Sequence, residues 1–107
     1  MRKVLIAALL AHLATPALAQ FPPPGVYGCV TASSEPVGTL TLLVAGDYAF
    51  EPEGAARATG QLASAGTDIN PLTGPLKEMG LVGTFFEEDG KTVLQFVGPR
   101  GLMVLCR

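Results

Sequence analysis

The stretch LVGTFFEEDGKTVLQFV, residues 81–97, decides the fold of this chain. Both of its arms are rich in β-branched and aromatic residues, which favour strands. Between the arms stands Glu88-Asp89-Gly90, and an Asp-Gly pair readily adopts the positive φ angles that a tight hairpin turn needs. The stretch therefore predicts an antiparallel hairpin with strands over residues 81–87 and 91–97.

Outward from this hairpin, the chain repeats a pattern of short apolar segments separated by glycine. Gly38, Gly46 and Gly54 stand eight residues apart, a spacing typical of short strands joined by tight turns. The one place where we expect a helical turn is Ala55–Ala58. Further strands are predicted over residues 25–31, 39–44, 47–51, 60–65, 67–72 and 101–107.

The two cysteines, Cys29 and Cys106, lie in the first and the last of these predicted strands. With two cysteines only one pairing is possible, and a disulfide requires Cα atoms within about 7 Å of each other. The bond would bring the two ends of the sheet together. The predicted fold is all-β, with about eight short antiparallel strands in a meander that forms a small barrel or a flattened sandwich closed by the disulfide.

The first residues have the organisation of a secretory signal peptide. Met1-Arg2-Lys3 supplies positive charge, an apolar run follows, and Ala17-Leu18-Ala19 is a small-residue cleavage site. The apolar run is shorter than the ~20 residues of a membrane-spanning helix. We expect a signal peptide over residues 1–19, a proline-rich leader over 20–24, one β domain over 25–107, and no membrane span after cleavage. Export to the periplasm or out of the cell would place both cysteines where a disulfide persists.

Charge and residue types exclude several functions for the mature domain. Its basic residues are scattered among nine acidic ones, so nucleic acid is a poor partner. The single histidine, His12, lies in the predicted signal peptide, which removes Ser-His and Cys-His catalysis and the usual zinc ligand sets. We therefore expect no enzymatic activity, no cofactor and no metal site.

The longest predicted loop, Asn70–Gly80, is the candidate region for contact with a partner. It carries Leu72, Leu76 and Met79, which is more apolar than a plain surface connection requires. These three residues either contact a protein partner or plug one end of the barrel.

Two other groups of side chains have competing interpretations. The acidic run Glu87-Glu88-Asp89 has carboxylates for acid-base chemistry or calcium, but neighbouring strand residues point to opposite faces, which favours a solvated hairpin tip. The aromatic residues either line a ligand cavity or fill the core, and a barrel of this size favours the core. They are Tyr27, Tyr48, Phe50, Phe85, Phe86 and Phe96.

Turn and core residues recur in a recognisable order along the chain. Gly25-x-Tyr27-x-Cys29 stands near the mature N-terminus and Cys106-Arg107 closes the sequence. Between them stand Gly38-x-Leu40, Tyr48, Gly60-x-Leu62, Ile69, Gly74-Pro75-Leu76 and Gly83-x-Phe85. This order resembles small exported bacterial proteins of unassigned function, and the resemblance implies a shared fold without a particular activity.

Together these properties predict an exported, non-enzymatic binding domain with a protein partner in the periplasm or outside the cell. One version of this function is inhibition of a hydrolase. The alternative is a lipocalin-like carrier of a small apolar ligand, although short strands leave little room for a deep ligand cavity.

Overall fold

Each strand pairs antiparallel with the next along the chain, and the last strand pairs with the first, in a computed structural model that describes residues 21–107. This arrangement confirms the predicted all-β class and is a closed barrel rather than a flattened sandwich. The predicted signal peptide, residues 1–19, lies outside the described residues. The strands are β1 (Gly25–Thr31), β2 (Pro36–Leu42), β3 (Asp47–Pro52), β4 (Ala58–Ala65), β5 (Asp68–Pro71), β6 (Val82–Glu88), β7 (Lys91–Val97) and β8 (Met103–Cys106).

The hairpin of β6 and β7 forms as the sequence predicts, with a tighter turn. Glu88 pairs with Lys91, so the turn contains only Asp89 and Gly90, whose φ angles are 55° and 78°. Positive φ at both central positions gives the turn a twist that matches the flanking strands. Pairing therefore extends one residue beyond the predicted strand end, to Glu88.

Alternation along the strands fills the barrel interior with apolar side chains. In β2 and β3, Leu40, Leu42, Tyr48 and Phe50 point inward and are buried, while the residues between them face outward. The buried interior cluster is formed by Tyr27, Cys29, Leu40, Leu42, Tyr48, Phe50, Leu62, Ile69, Leu76, Leu81, Leu94, Phe96, Val104 and Cys106.

The predicted disulfide joins β1 to β8 and closes the barrel. Cys29 and Cys106 are directly opposite in register, with 4.0 Å between their Cα atoms. Beside them, the backbone N–H of Gly28 donates to the Arg107 carbonyl at 2.9 Å, and the Arg107 N–H donates back at 3.1 Å. Both cysteine side chains point into the buried interior.

The helical turn lies elsewhere than predicted. Ala55–Ala58 forms no helix, because the chain turns at Gly54 and Ala58 already begins β4. The one-turn helix α1 is Pro75–Glu78, within the long loop between β5 and β6. Proline is well suited to the first position of a helix, because its φ angle is already fixed near the helical value and the N–H group it lacks would have no partner there.

The proline-rich leader packs against the barrel. Pro22 is buried, and the Tyr27 hydroxyl donates to the Pro23 carbonyl at 2.7 Å. The Phe21 ring lies so close to Gly46 that a Cβ there would be 3.1 Å from it. The described leader residues therefore cover the end of the barrel at which β1 begins.

Candidate functional site

The interior of the barrel is filled by side chains. Tyr48, Leu40, Leu94 and Phe96 have no exposed surface, as expected of an eight-stranded barrel whose side chains just fill its width. Of the six aromatic residues discussed above, Tyr27, Tyr48, Phe50 and Phe96 belong to this interior. Phe85 packs partly against it, while Phe86 lies outside with 40% of its surface exposed.

The three apolar residues of the β5–β6 loop have different environments. Leu76, in α1, is only 3% exposed and belongs to the core, and Met79 packs against that core. Leu72 is 49% exposed. Because this loop joins the end of β5 to the start of β6, it lies at the barrel end opposite the start of β1, where Leu76 and Leu81 join the core. Leu72 alone of the three offers a large accessible apolar surface.

The hydroxyl of Tyr48 ties this loop to the barrel. It donates to the Thr73 carbonyl at 2.8 Å and accepts the Leu76 N–H at 3.0 Å. Burial raises the pKa of Tyr48 above its ordinary value, the N–H groups of Leu76 and Lys77 oppose this rise, and the charge of Glu78 adds to it. Both hydrogen bonds end on the loop backbone, so the role of this tyrosine is structural.

The acidic hairpin tip contains no assembled site. Glu87 accepts the Thr92 hydroxyl at 3.4 Å, and Glu88 lies 3.6 Å from Arg107 with both side chains about half exposed. Among residues 21–107, no group of three or more His, Cys, Asp or Glu side chains is arranged to hold a metal ion. The tip is therefore a solvated, partly paired charge cluster.

The outward face of β6, β7 and β8 carries mainly apolar side chains. Val82 and Val97 are a cross-strand pair and are 50% and 42% exposed. Phe86 faces outward beside Val93 in the same ladder. We call this face the apolar wall; its members are Val82, Thr84, Phe86, Val93, Gln95, Val97, Met103 and Leu105.

Away from the apolar wall the strand exterior is mostly polar, but Val26 on β1 is 72% exposed, and Leu43 and Val44 after β2 are 44% and 70% exposed. Thr39 faces Glu51 across β2 and β3, and Asp47 faces Gln61 across β3 and β4. Gln61 also donates to the Asp47 carboxylate at 3.1 Å. A cleft of about 430 Å³ lies on this side, and the Gln61 N–H there is already bonded to the Thr73 hydroxyl. The β2–β3 and β3–β4 ladders therefore present more polar outward residues than the ladders of the apolar wall.

A groove of about 480 Å³ runs along the edge of the apolar wall where β5 meets β6. Its volume lies in the range of ligand-binding clefts. The β5–β6 ladder is short, with register pairs Asp68–Thr84 and Ile69–Gly83, and it ends near Pro71, which has no N–H to donate. The residues that line the groove are Asp68, Ile69, Asn70, Val82, Gly83, Thr84, Gln95 and Val97.

The two banks of this groove have different chemistry. Val82 and Val97 form an apolar bank, whereas Asp68 and Asn70 are exposed polar residues on β5. Within residues 21–107 a single ion pair is present, between Arg107 and Glu88. Asp68 therefore has no lysine or arginine partner among these residues. The groove thus places an apolar surface beside a carboxylate.

Beyond strand alternation, the sequence contains a signal for the apolar wall. Phe85-Phe86, Val93-Leu94, Phe96-Val97 and Met103-Val104-Leu105 are runs of adjacent apolar residues. Neighbours on a strand point to opposite faces, so such runs are typical of strands that are buried on both faces. In this barrel only the inner face is covered by the chain itself.

Comparisons with known proteins add no family or function. The sequence matches no protein-family profile, and no match was found among curated proteins or solved structures. Within residues 21–107, no helix has the length and apolar character needed to cross a membrane. The disulfide indicates a non-reducing environment.

Proposed function

We propose that this chain is an exported, non-enzymatic binding domain that engages a protein partner through the apolar wall. The proposal places the mature protein in the periplasm or outside the cell, in agreement with the disulfide and with the signal peptide expected from the sequence. The partner is captured by an outer surface of the barrel and not by its interior.

The observation that carries this proposal is the groove beside the exposed cross-strand pair Val82–Val97. Val82, Phe86 and Val97 keep 40–50% of their surface exposed on one side, while Thr39, Glu51 and Asp47 face solvent on the other. Exposed apolar residues grouped on one face of a protein often form an interaction site; here the pair Thr84–Gln95 lies between Val82–Val97 and Phe86. A groove beside this surface supplies the concave shape that a partner side chain can fill.

The alternative function, carriage of a small apolar ligand, receives less support from the geometry. A lipocalin-like carrier needs an open interior, whereas here Leu40, Tyr48, Leu94 and Phe96 occupy it without exposed surface. The β5–β6 loop covers one end of the barrel, and the leader packs at the other. A ligand would have to displace core side chains.

A hydrolase is one class of partner that suits the proposal. Inhibitors act by occupying a cleft with a rigid element, and a small disulfide-closed barrel supplies rigidity at low entropic cost on binding. Under this version the contact residues are those of the apolar wall together with Leu72, the exposed apolar residue of the β5–β6 loop.

Site-specific photocrosslinking in the exported protein tests the proposal. A photoreactive phenylalanine analogue is placed at Val82 or Val97, and at Thr39 or Thr59 on the polar side as matched controls. We expect a discrete crosslinked protein band from the two valine positions and none from the two threonine positions. Equal crosslinking from both sides, or a band only from the threonine positions, would contradict the proposal.

A further inference from the structure

We infer that the groove beside β5 and β6 takes a short segment of the partner that presents an apolar side chain next to a lysine or arginine. This inference rests on the proposed function and specifies the chemistry of its partner. The apolar side chain fills the space along Val82 and Val97, and the cation pairs with Asp68.

The size of the apolar wall favours a narrow partner segment over a second copy of the chain. A stable interface uses roughly 20–30 residues on each side. The wall supplies well under half of that number, and one of its members, Val93, is only 2% exposed and adds no accessible surface. Face-to-face pairing of two walls would therefore remain below the area of a stable dimer.

Charge complementarity defines the second half of the partner segment. Asp68 stands on the exposed bank of the groove, and the ion pair of the described chain is formed elsewhere, between Arg107 and Glu88. An exposed carboxylate beside an apolar surface recognises a cation whose aliphatic stem also packs on that surface. Lysine and arginine have this combination, and a neutral apolar peptide does not.

The short β5–β6 ladder positions the residues that line the groove. Two register pairs hold the strands together at Asp68–Thr84 and Ile69–Gly83. After Pro71 the chain leaves the sheet to form the loop that contains α1. Continuing this register places Asn70, the last outward residue of β5, level with Val82, and both residues line the groove.

Selection from a phage-displayed random peptide library on the oxidised protein tests this inference. We expect enriched peptides that combine a large apolar residue with a neighbouring lysine or arginine and that compete with one another. Fluorescence anisotropy should show at least a tenfold loss of affinity with Val97→Asp and a severalfold loss with Asp68→Asn. Binding to the Asp68→Asn protein should also depend less on salt. The polar-side variant Thr39→Asp should bind as wild type does.

Several results would overturn the inference. Enriched peptides without a basic residue, peptides indifferent to Asp68→Asn, or no enrichment at all would each refute the proposed segment. Concentration-dependent dimerisation in sedimentation equilibrium, abolished by Val97→Asp, would assign the wall to a second copy instead. Retention of a small apolar molecule in native mass spectrometry, lost in Val82→Asp, would assign the groove to a ligand. If crosslinking at Val97 succeeds while the peptide experiment fails, the proposed function stands and only the segment chemistry falls.

Discussion

A single hydroxyl group, that of Tyr48, links the barrel wall to the loop that covers one end. The ring is buried, and its hydroxyl makes two hydrogen bonds to the loop backbone, at Thr73 and Leu76. A buried donor or acceptor left without its partner destabilises the folded state by about 1–3 kcal/mol. The stability of the loop therefore depends strongly on one atom.

We predict that Tyr48→Phe lowers the free energy of unfolding by about 1–3 kcal/mol, measured by urea denaturation. The substitution keeps the ring and its packing but leaves the Leu76 N–H and the Thr73 carbonyl without this partner. Tyr27→Phe is the matched control, since its hydroxyl makes one bond, to Pro23 in the leader. A loss from Tyr27→Phe as large as that from Tyr48→Phe would contradict the special role of the loop contact.

Tyr27 and Tyr48 should also make the free energy of unfolding depend on pH in alkaline solution. Burial raises the pKa of both Tyr27 and Tyr48 above the ordinary value of 10.0. Below that value both the folded and the unfolded chain keep the proton, and no stability is lost. Above it the unfolded chain ionises first, so stability should fall as the pH rises through the raised pKa of the folded state. Urea midpoints measured between about pH 8 and about pH 11 should fall less steeply for Tyr48→Phe than for wild type.

Among the elements, the β6–β7 hairpin contains two glycines that are needed for different reasons. Gly90 has a φ of 78°, and a Cβ there would meet nothing within 4 Å. Gly83 has ordinary backbone angles, but a Cβ there would lie 2.7 Å from both the Gln95 carbonyl and the Phe96 ring. The first glycine is required by conformation, and the second by the close approach of β7.

We predict that Gly83→Ala destabilises the barrel more than Gly90→Ala does. The left-handed backbone at position 90 costs alanine about 1–2 kcal/mol. Overpacking at position 83 has to move a backbone carbonyl or a buried ring, which costs about 1–3 kcal/mol or more. Denaturation midpoints of the two variants, compared with wild type, measure the order. The reverse order would mean that the wall adapts to Gly83→Ala by a small shift of β7.

The apolar wall yields a prediction about stability that is independent of binding. Val97 and Val82 keep about half of their surface exposed, so replacing one of them by aspartate removes little buried area. Exposed positions of this kind change stability by about 0.5 kcal/mol or little more. Val97→Asp should therefore unfold within about 1 kcal/mol of wild type while losing the crosslinked partner. A large drop in its urea midpoint would show that the wall is held in place by the chain itself.

The strands could be predicted from the sequence because their signals are local. Alternation placed Tyr48 and Phe50 inside β3, and Asp89-Gly90 located the hairpin turn, since both depend on residues that are adjacent in the chain. The helical turn could not be located in this way. The helix Pro75–Glu78 depends on contacts between residues that are distant in the sequence. Leu76 packs among core residues of several strands, and its N–H donates to the hydroxyl of Tyr48, which lies in β3.

The candidate site was harder to predict than the strands for a related reason. Val82, Val97 and Asp68 become neighbours only through the register of three strands. The paired apolar residues Phe85-Phe86 and Phe96-Val97 were visible in the sequence, yet they signal an apolar outer face only once the inner face is known to be full. Leu72, Leu76 and Met79 lie in one apolar loop, and their sequence does not show which of them is accessible. Only the structure shows that Leu72 is exposed and Leu76 is buried.

At the scale of the whole molecule, closure of the barrel depends on the seam between β1 and β8. The register there joins Cys29–Cys106, Val30–Leu105 and Thr31–Val104, a short ladder between the two ends of the chain. The disulfide crosses this seam at a sequence separation of 77 residues. In the unfolded chain such a bond removes conformational entropy worth about 4–5 kcal/mol in the loop-closure treatment.

We predict that the double substitution Cys29→Ala and Cys106→Ala lowers the free energy of unfolding by about 4 kcal/mol or more, because the loop constraint and some buried sulfur packing are lost together. For a domain of this size such a loss is most of the net stability. Urea denaturation of the oxidised wild type and of the double variant measures the difference. Since both sulfurs lie in the buried interior, reduction of the wild type should also be slow in native buffer and should follow the rate of global unfolding. Rapid reduction of a fully folded barrel, or equal stability of the two proteins, would mean that hydrogen bonding along the seam is sufficient to hold β1 against β8.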